Sequence, residues 1–224
     1  LLYTQDDFQL QAMIVLDFSA SMYETNEDID KMTLSAKDLI DSLNETHQVG
    51  VVEFHRPDEP PALLHAFTTY KNAAKEAIDN FSYGKIYRDF SSCWDAVHKG
   101  LKQFPEKPDP NVFKTLAFLS DGFDNSSFNT PDDVIALAKE RDVHIYALGI
   151  GSGKEEKVLE TIALETGGTY VHSENINVLR ERFKQIIKDI KGQYKIKYIT
   201  PKKPDDDRFV VEIEITYKGV TGTP

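Results

Sequence analysis

AMIVLDFSASM, residues 12–22, runs apolar as far as Leu16, reaches a carboxylate at Asp17 and then places hydroxyls at Ser19 and Ser21. The apolar part is too short and too continuous for an amphipathic helix. It fits a strand buried on both faces, the kind found inside a parallel sheet covered by helices. A turn leaving such a strand directs Asp17, Ser19 and Ser21 into a common space. Taken alone, the trio also reads as a strand-to-helix turn whose oxygens cap backbone amides.

Working outward, the same alternation continues. Strand candidates are AMIVLDF (12–18), QVGVVEFH (48–55), ALLHAFT (62–68), FKTLAFLS (113–120), VHIYALGI (143–150) and GTYVHS (168–173). Segments of helical period lie near 29–45, 70–80, 92–104, 131–141, 154–166 and 176–191. Thr130-Pro131-Asp132-Asp133 is a strong helix start, with a capping hydroxyl, an early Pro and acids at the positive dipole end. RPDEPPA (56–62) has three prolines and no room for a helix. The strands it joins should therefore form a hairpin, with one antiparallel strand at an edge. After Gln193, QYKIKYIT and RFVVEIEITYK alternate polar and apolar residues around PKKPDDD. This predicts an antiparallel pair with one wet face. Residues 192–224 are thus a β-hairpin extension, with residues 1–10 as a candidate partner, or the start of a following β domain.

The chain has 37 acidic and 26 basic residues, a formal net charge of −11. Such a surface repels phosphate backbones, and no Lys/Arg stripe offsets it, so nucleic acid is disfavoured as a partner. Cys93 is the only cysteine, which excludes an internal disulfide framework. No apolar run approaches the ~20 residues that span a bilayer. LLYTQDDFQL has neither a basic start nor an apolar core of a signal peptide, and both ends read as cut from something longer.

Chemistry is expected where strands end, since open α/β sheets place ligands there. The fourth strand ends in Ser120-Asp121-Gly122, which puts a second carboxylate at a depth equivalent to Asp17. Ser91 and Ser92 open the helix after KIYRDF. Carboxylates and hydroxyls without His or Cys make a hard-oxygen set suited to Mg²⁺, Mn²⁺ or Ca²⁺ rather than Zn²⁺.

MIVLDFSASM resembles the metal-ion-dependent adhesion site of the von Willebrand factor type A family, with its D-x-S-x-S after the first strand. SSCWDAVHKGL offers Ser91 at the family's Thr/Ser position with Ala96 five residues on, and FLSDGFDNSS supplies the third element, Asp121. The resemblance covers roughly residues 8–191. It implies a doubly wound, Rossmann-like, mostly parallel sheet with one antiparallel edge strand, plus the C-terminal antiparallel β appendage. It further implies that Ser19 and Ser21 coordinate a divalent ion, that Asp17 and Asp121 hold it directly or through water, and that Ser91 joins when the site is engaged. The remaining position is left for an Asp or Glu carboxylate of a protein partner, which neutralises the ion's residual charge. In place of the family's usual Gly pair before the threonine stands Asp89-Phe90, a bulkier loop. Serine at 91 keeps the hydroxyl and loses a methyl.

Other motifs carry less. Asp124, Asn125, Ser126 and Ser127 read as a polar turn beside the site, with groups that support the ligands from behind as the alternative. GIGSGK (149–154) lacks the phosphate-loop spacing and has Glu155 where Ser or Thr is required. The dinucleotide fingerprint fails too, since it belongs after the first strand. The histidines have no metal-ligand spacing, and His55, His65 and His144 read as packed or edge residues. Cys93 reads as a buried thiol. A phosphatase-type Asp17 would want a second Asp where Ser19 stands, and no nucleophile–base pair is evident. The expected function is therefore a non-enzymatic, metal-dependent protein-interaction module of adhesion type. Its expected setting, from the family, is extracellular, cell-surface or periplasmic. The alternatives are an intracellular subunit working with an ATPase in complex remodelling or metal insertion, and a metal-dependent hydrolase.

Overall fold

The structure, a computed structural model, describes residues 2–3, 9–19, 26–55, 60–82, 91–107, 109, 111–120, 124–150, 156–173, 178–191, 195–196, 215–217 and 220–222. In chain order the elements are β1 (Leu2–Tyr3), β2 (Gln9–Asp17), α1 (Asn26–Ser42), β3 (Gln48–Phe54), β4 (Ala62–Thr68), α2 (Lys71–Ser82), α3 (Cys93–Leu101), β5 (Val112–Ser120), α4 (Pro131–Arg141), β6 (His144–Ile150), α5 (Glu156–Glu165), β7 (Tyr170–Ser173), α6 (Leu179–Lys191), β8 (Lys195–Ile196), β9 (Ile215–Tyr217) and β10 (Val220–Gly222). By Cα proximity they divide into a large unit, Tyr3–Tyr194, and a small one formed by the chain ends.

The large unit is an α/β fold built on a six-stranded sheet in the order β4-β3-β2-β5-β6-β7. All neighbouring strands run parallel except β3 and β4, which form the expected antiparallel hairpin and leave β4 at the edge. The central strands are apolar throughout because both of their faces are covered. Ala12, Ile14 and Leu16 of β2, with Ala117 and Leu119 of β5, pack among apolar side chains of α1, α2 and α6. Met13 and Val15, with Leu116 and Phe118, pack among those of α3, α4 and α5. From β2 the chain proceeds to one side of the sheet and from β5 to the other. The seam between them is the topological switch point, where the crevice of such folds opens.

In the small unit β8 pairs with β1, and β9 pairs antiparallel with β10, Thr216 facing Thr221. The expected pairing of 193–200 with 208–218 falls largely outside the described residues.

Several boundaries differ from the sequence reading for physical reasons. The first strand begins at Gln9 because Gln9–Gln11 already register with Val112–Lys114. The last strand of the sheet begins at Tyr170, not 168. Gly167 adopts φ +74°, and a Cβ on Gly168 would fall 2.0 Å from the Ile145 carbonyl oxygen. α4 starts as expected. Thr130 accepts from Asp133 N, while the Asp133 carboxylate accepts from Thr130 N and Oγ1. These bonds hold the Asp133 carboxyl below its ordinary range, so the box is intact at neutral pH and is lost only as pH falls through that lowered value.

α3 rides close to the sheet because Gly100 has no side chain. A Cβ there would lie 3.1–3.2 Å from Leu116 Cδ1, Met13 Cγ and Val15 Cγ2. Near β3's carboxyl end, on the α2 side, Glu53 and His55 form a buried pair, His55 Nδ1 to Glu53 Oε2 at 2.8 Å, with the Phe81 ring 5.2 Å from the imidazole. His55 had read as a packed or edge residue, and its carboxylate partner two positions earlier was not anticipated.

Two outcomes follow. Gly100→Val should lower unfolding free energy by about 1–3 kcal/mol in urea titrations, because the extra methyls overfill the α3–sheet contact. His55→Leu should cost about 3 kcal/mol by leaving Glu53 buried and uncompensated, whereas Glu53→Leu/His55→Leu should recover most of that loss.

Candidate metal centre

The carboxyl ends of β2 and β5 meet at the switch point. Side-chain alternation turns Asp17 and Ser120 toward the face that carries α3, in phase with Val15 and Phe118. Asp17 is fully buried. Its Oδ1 accepts from Ser19 N at 2.8 Å, a tight turn of the kind Asp favours, and its Oδ2 accepts from Ser120 Oγ at 2.6 Å. Phe18 N donates to the Phe54 carbonyl at 2.9 Å, so the chain is still tied to β3 as it leaves the sheet. Cys93 Sγ lies 4.0 Å from Ser120 Oγ, which brings the start of α3 to the same spot.

Ser91 and Ser92 precede α3, and both are buried, at 2% and 4% exposure. Ser92 occupies the N-cap position, yet its side chain makes no capping bond. The amides that such a cap serves are served instead from another loop. Trp94 N donates to Asp124 Oδ2 at 3.2 Å and Asp95 N to Ser127 Oγ at 3.0 Å. Ser91 is gripped through its backbone: its N donates to Asn125 Oδ1 at 3.0 Å, and its carbonyl accepts from Asn125 N and Ser126 N, each at 3.2 Å. The hydroxyls of Ser91 and Ser92 are therefore released from capping, and neither has a hydrogen-bond partner among the described residues. A buried hydroxyl left unbonded costs about 1–3 kcal/mol, so its oxygen is a ready ligand.

Of the residues singled out from the sequence, Asp17 and Ser19 stand where β2 ends, and Ser91 lies two residues before Cys93, which reaches Ser120 at the end of β5. Ser21 and Asp121 lie outside the described residues, as does the Asp89-Phe90 departure. Among the described residues no group of three His, Cys, Asp or Glu side chains gathers, and the oxygens at this edge are the Asp17 carboxylate and serine hydroxyls. That set fits a hard divalent cation, and the unbonded Ser91 hydroxyl is the observation that favours one. The Glu53–His55 pair does not join it, because alternation along β3 places both on the opposite face, with Val49 and Val51.

Residues 124–127 act in the supporting role that the sequence left open beside a polar turn. They are the clamp that sets Ser91. Asp124 and Asn125 act on α3 across 30 and 34 residues of chain. Only the Asx and Ser content of FDNSSFNT hinted at capping, and it did not reveal which helix would be capped.

Among the described residues no helix is long and apolar enough to cross a membrane. No match is found among curated proteins. Solved structures with the same fold include proximal thread matrix protein 1 from the mussel byssus, 21% identical with a TM-score of 0.70, covering 83% of this chain and 49% of that one. Another structure of that protein, described as having a zinc-occupied MIDAS motif, is 20% identical with a TM-score of 0.67, covering 85% and 50%. The chain thus spans about half of the byssus protein. The conserved hypothetical protein BatB from Bacteroides thetaiotaomicron is 20% identical with a TM-score of 0.63, covering 82% of this chain and all of that one. At these identities the likeness speaks for the fold. The family model for the von Willebrand factor type A domain matches residues 13–185, and the chain belongs to that family.

Proposed function

We propose that this chain is a metal-dependent protein-interaction module of adhesion type. In this reading Asp17, Ser19, Ser21, Ser91 and Asp121 hold one divalent cation, Mg²⁺ by preference with Mn²⁺ or Ca²⁺ as substitutes. The cation supplies an electrophilic site for an Asp or Glu carboxylate of a protein partner, with no catalytic step. The unit comprises residues 8–191, and 192–224 are its β extension or the beginning of a following β domain. Similarity to a byssus matrix protein supports an extracellular, cell-surface or periplasmic setting.

The single observation that supports the reading is the buried Ser91 hydroxyl, unbonded among the described residues, just ahead of the helix whose start reaches Ser120. Coordination to a cation would satisfy it. Burying the Asp17 carboxylate is costly, and a cation at the same edge would offset that cost. Each of the five residues then has a task. The two carboxylates neutralise charge, the hydroxyls fill coordination positions without adding charge, and the ion stays positive enough to bind an acid.

Titration of the metal-free chain with Mn²⁺ and Mg²⁺ by calorimetry tests this directly. Ser91→Ala and Asp121→Ala should each weaken binding at least tenfold, and unchanged affinity in both would sink the proposal. Asp124→Ala should weaken Mn²⁺ several-fold while costing about 1 kcal/mol of stability, because Trp94 N loses its cap and the Ser92 hydroxyl can turn to replace it.

A further inference from the structure

On the α2 side of the sheet lies a buried ionisable pair that the proposed site does not use, Glu53 and His55. Such a pair often contributes no more stability than two well-packed apolar side chains would; what it can supply is a fixed local geometry. His55 Nδ1 lies 2.8 Å from Glu53 Oε2, so the two side chains bridge positions i and i+2 and bracket Phe54.

Phe54 is where β3 holds the chain that leaves β2. It is the register partner of Asp17, and its carbonyl accepts from Phe18 N at 2.9 Å. Phe18 is the middle residue of the turn in which Asp17 Oδ1 accepts from Ser19 N at 2.8 Å. Its buried ring meets the Phe81 ring at 4.9 Å between centroids and 61° between planes. The same Phe81 ring meets the His55 imidazole at 5.2 Å, also at 61°. The pair therefore reaches Phe18 by two routes. One runs through the Phe54 carbonyl to the amide, the other through Phe81 to the ring. A residue fixed at both its amide and its ring cannot rotate without breaking one of them, and its rotation is what would open the Asp17–Ser19 turn. Phe18 packs with α1 and α2, on the face opposite to the one Asp17 takes, so the pair acts on the ligands without touching them.

We propose that Glu53, His55 and Phe81 are positioning residues for the metal loop, holding Phe18, and through it Asp17 and Ser19, in the geometry that takes the ion. This rests on the metal-site reading and gives that site a support on the far face of the sheet.

The test compares the wild-type chain with Glu53→Leu/His55→Leu, Phe81→Leu and Glu53→Gln by urea titration, Mn²⁺ calorimetry and exchange of the Ser19 amide followed by NMR. Glu53→Leu/His55→Leu should come close to wild-type stability yet bind Mn²⁺ about tenfold more weakly, the low end for losing support behind a metal ligand. Its Ser19 amide should exchange about tenfold faster in metal-free buffer, since local opening no longer follows global stability. Phe81→Leu, which leaves the pair intact, should move both readings the same way, and combining the changes should add little, because they act through one residue. Glu53→Gln keeps an acceptor for His55 Nδ1 and should leave both readings at the wild-type level. A Ser19 amide as protected in both Leu variants as in the wild type overturns the positioning role. So does unchanged Mn²⁺ affinity in both, measured against a wild-type chain that binds the ion. If protection falls in the variants but the wild-type chain takes up no Mn²⁺, the metal reading fails and the hold on the Asp17–Ser19 turn stands.

Discussion

The hydrogen bond from Ser120 Oγ to Asp17 Oδ2 joins the ends of β2 and β5 where the chain order of the sheet reverses. It is short and buried, and it places a carboxylate where a solvated one would be far cheaper. The surrounding structure is arranged to keep it there. Phe54 holds Phe18, so the chain leaves β2 along a fixed line, and Gly100 lets α3 settle close enough for Cys93 to approach Ser120. A larger residue at 100 would push α3 off the sheet and with it the two serines that begin the helix.

A second constraint acts on those serines. Helix N-termini need acceptors, and serine beside a helix start normally supplies one from its own side chain. Here the acceptors come from Asp124 and Ser127, and Asn125 serves the amide of Ser91. Capping by a distant loop leaves the side chains of both serines without a capping task. The same loop gives Asp95 a reciprocal task, since its carboxylate orders Phe128 and Asn129 in return. One interlocked set of bonds thus ties the start of α3 to residues 124–129.

The two faces of the sheet divide the labour. On the α3 side, Asp17 and Ser120 end their strands among oxygen donors. On the α2 side, the Glu53–His55 pair sits against Phe81, shielded from that edge. A histidine with a carboxylate partner close to the end of a neighbouring strand would invite a catalytic reading in a different register. Strict alternation along β3 sends it to the other side of the sheet.

Strand and helix identity were legible in AMIVLDF, FKTLAFLS and VHIYALGI, because a strand covered on both faces must be apolar at every position, whatever surrounds it. RPDEPPA likewise announced the hairpin, and Thr130 with Asp133 announced the start of α4, since these are local rules with local residues. Motif and spacing supplied the proposed set Asp17, Ser19, Ser21, Ser91 and Asp121 as candidates, of which the described residues include Asp17, Ser19 and Ser91. What no spacing contained was the release of Ser91 and Ser92 from capping. That depends on Asp124, Asn125 and Ser127 reaching α3 across about thirty residues of chain. The Glu53–His55 pair and the approach at Gly100 belong to the same class, for neither exists until strands, helices and loops are packed. Composition and period determine which elements form. Long-range hydrogen bonds, possible only after those elements meet, decide which hydroxyls cap a helix and which do not.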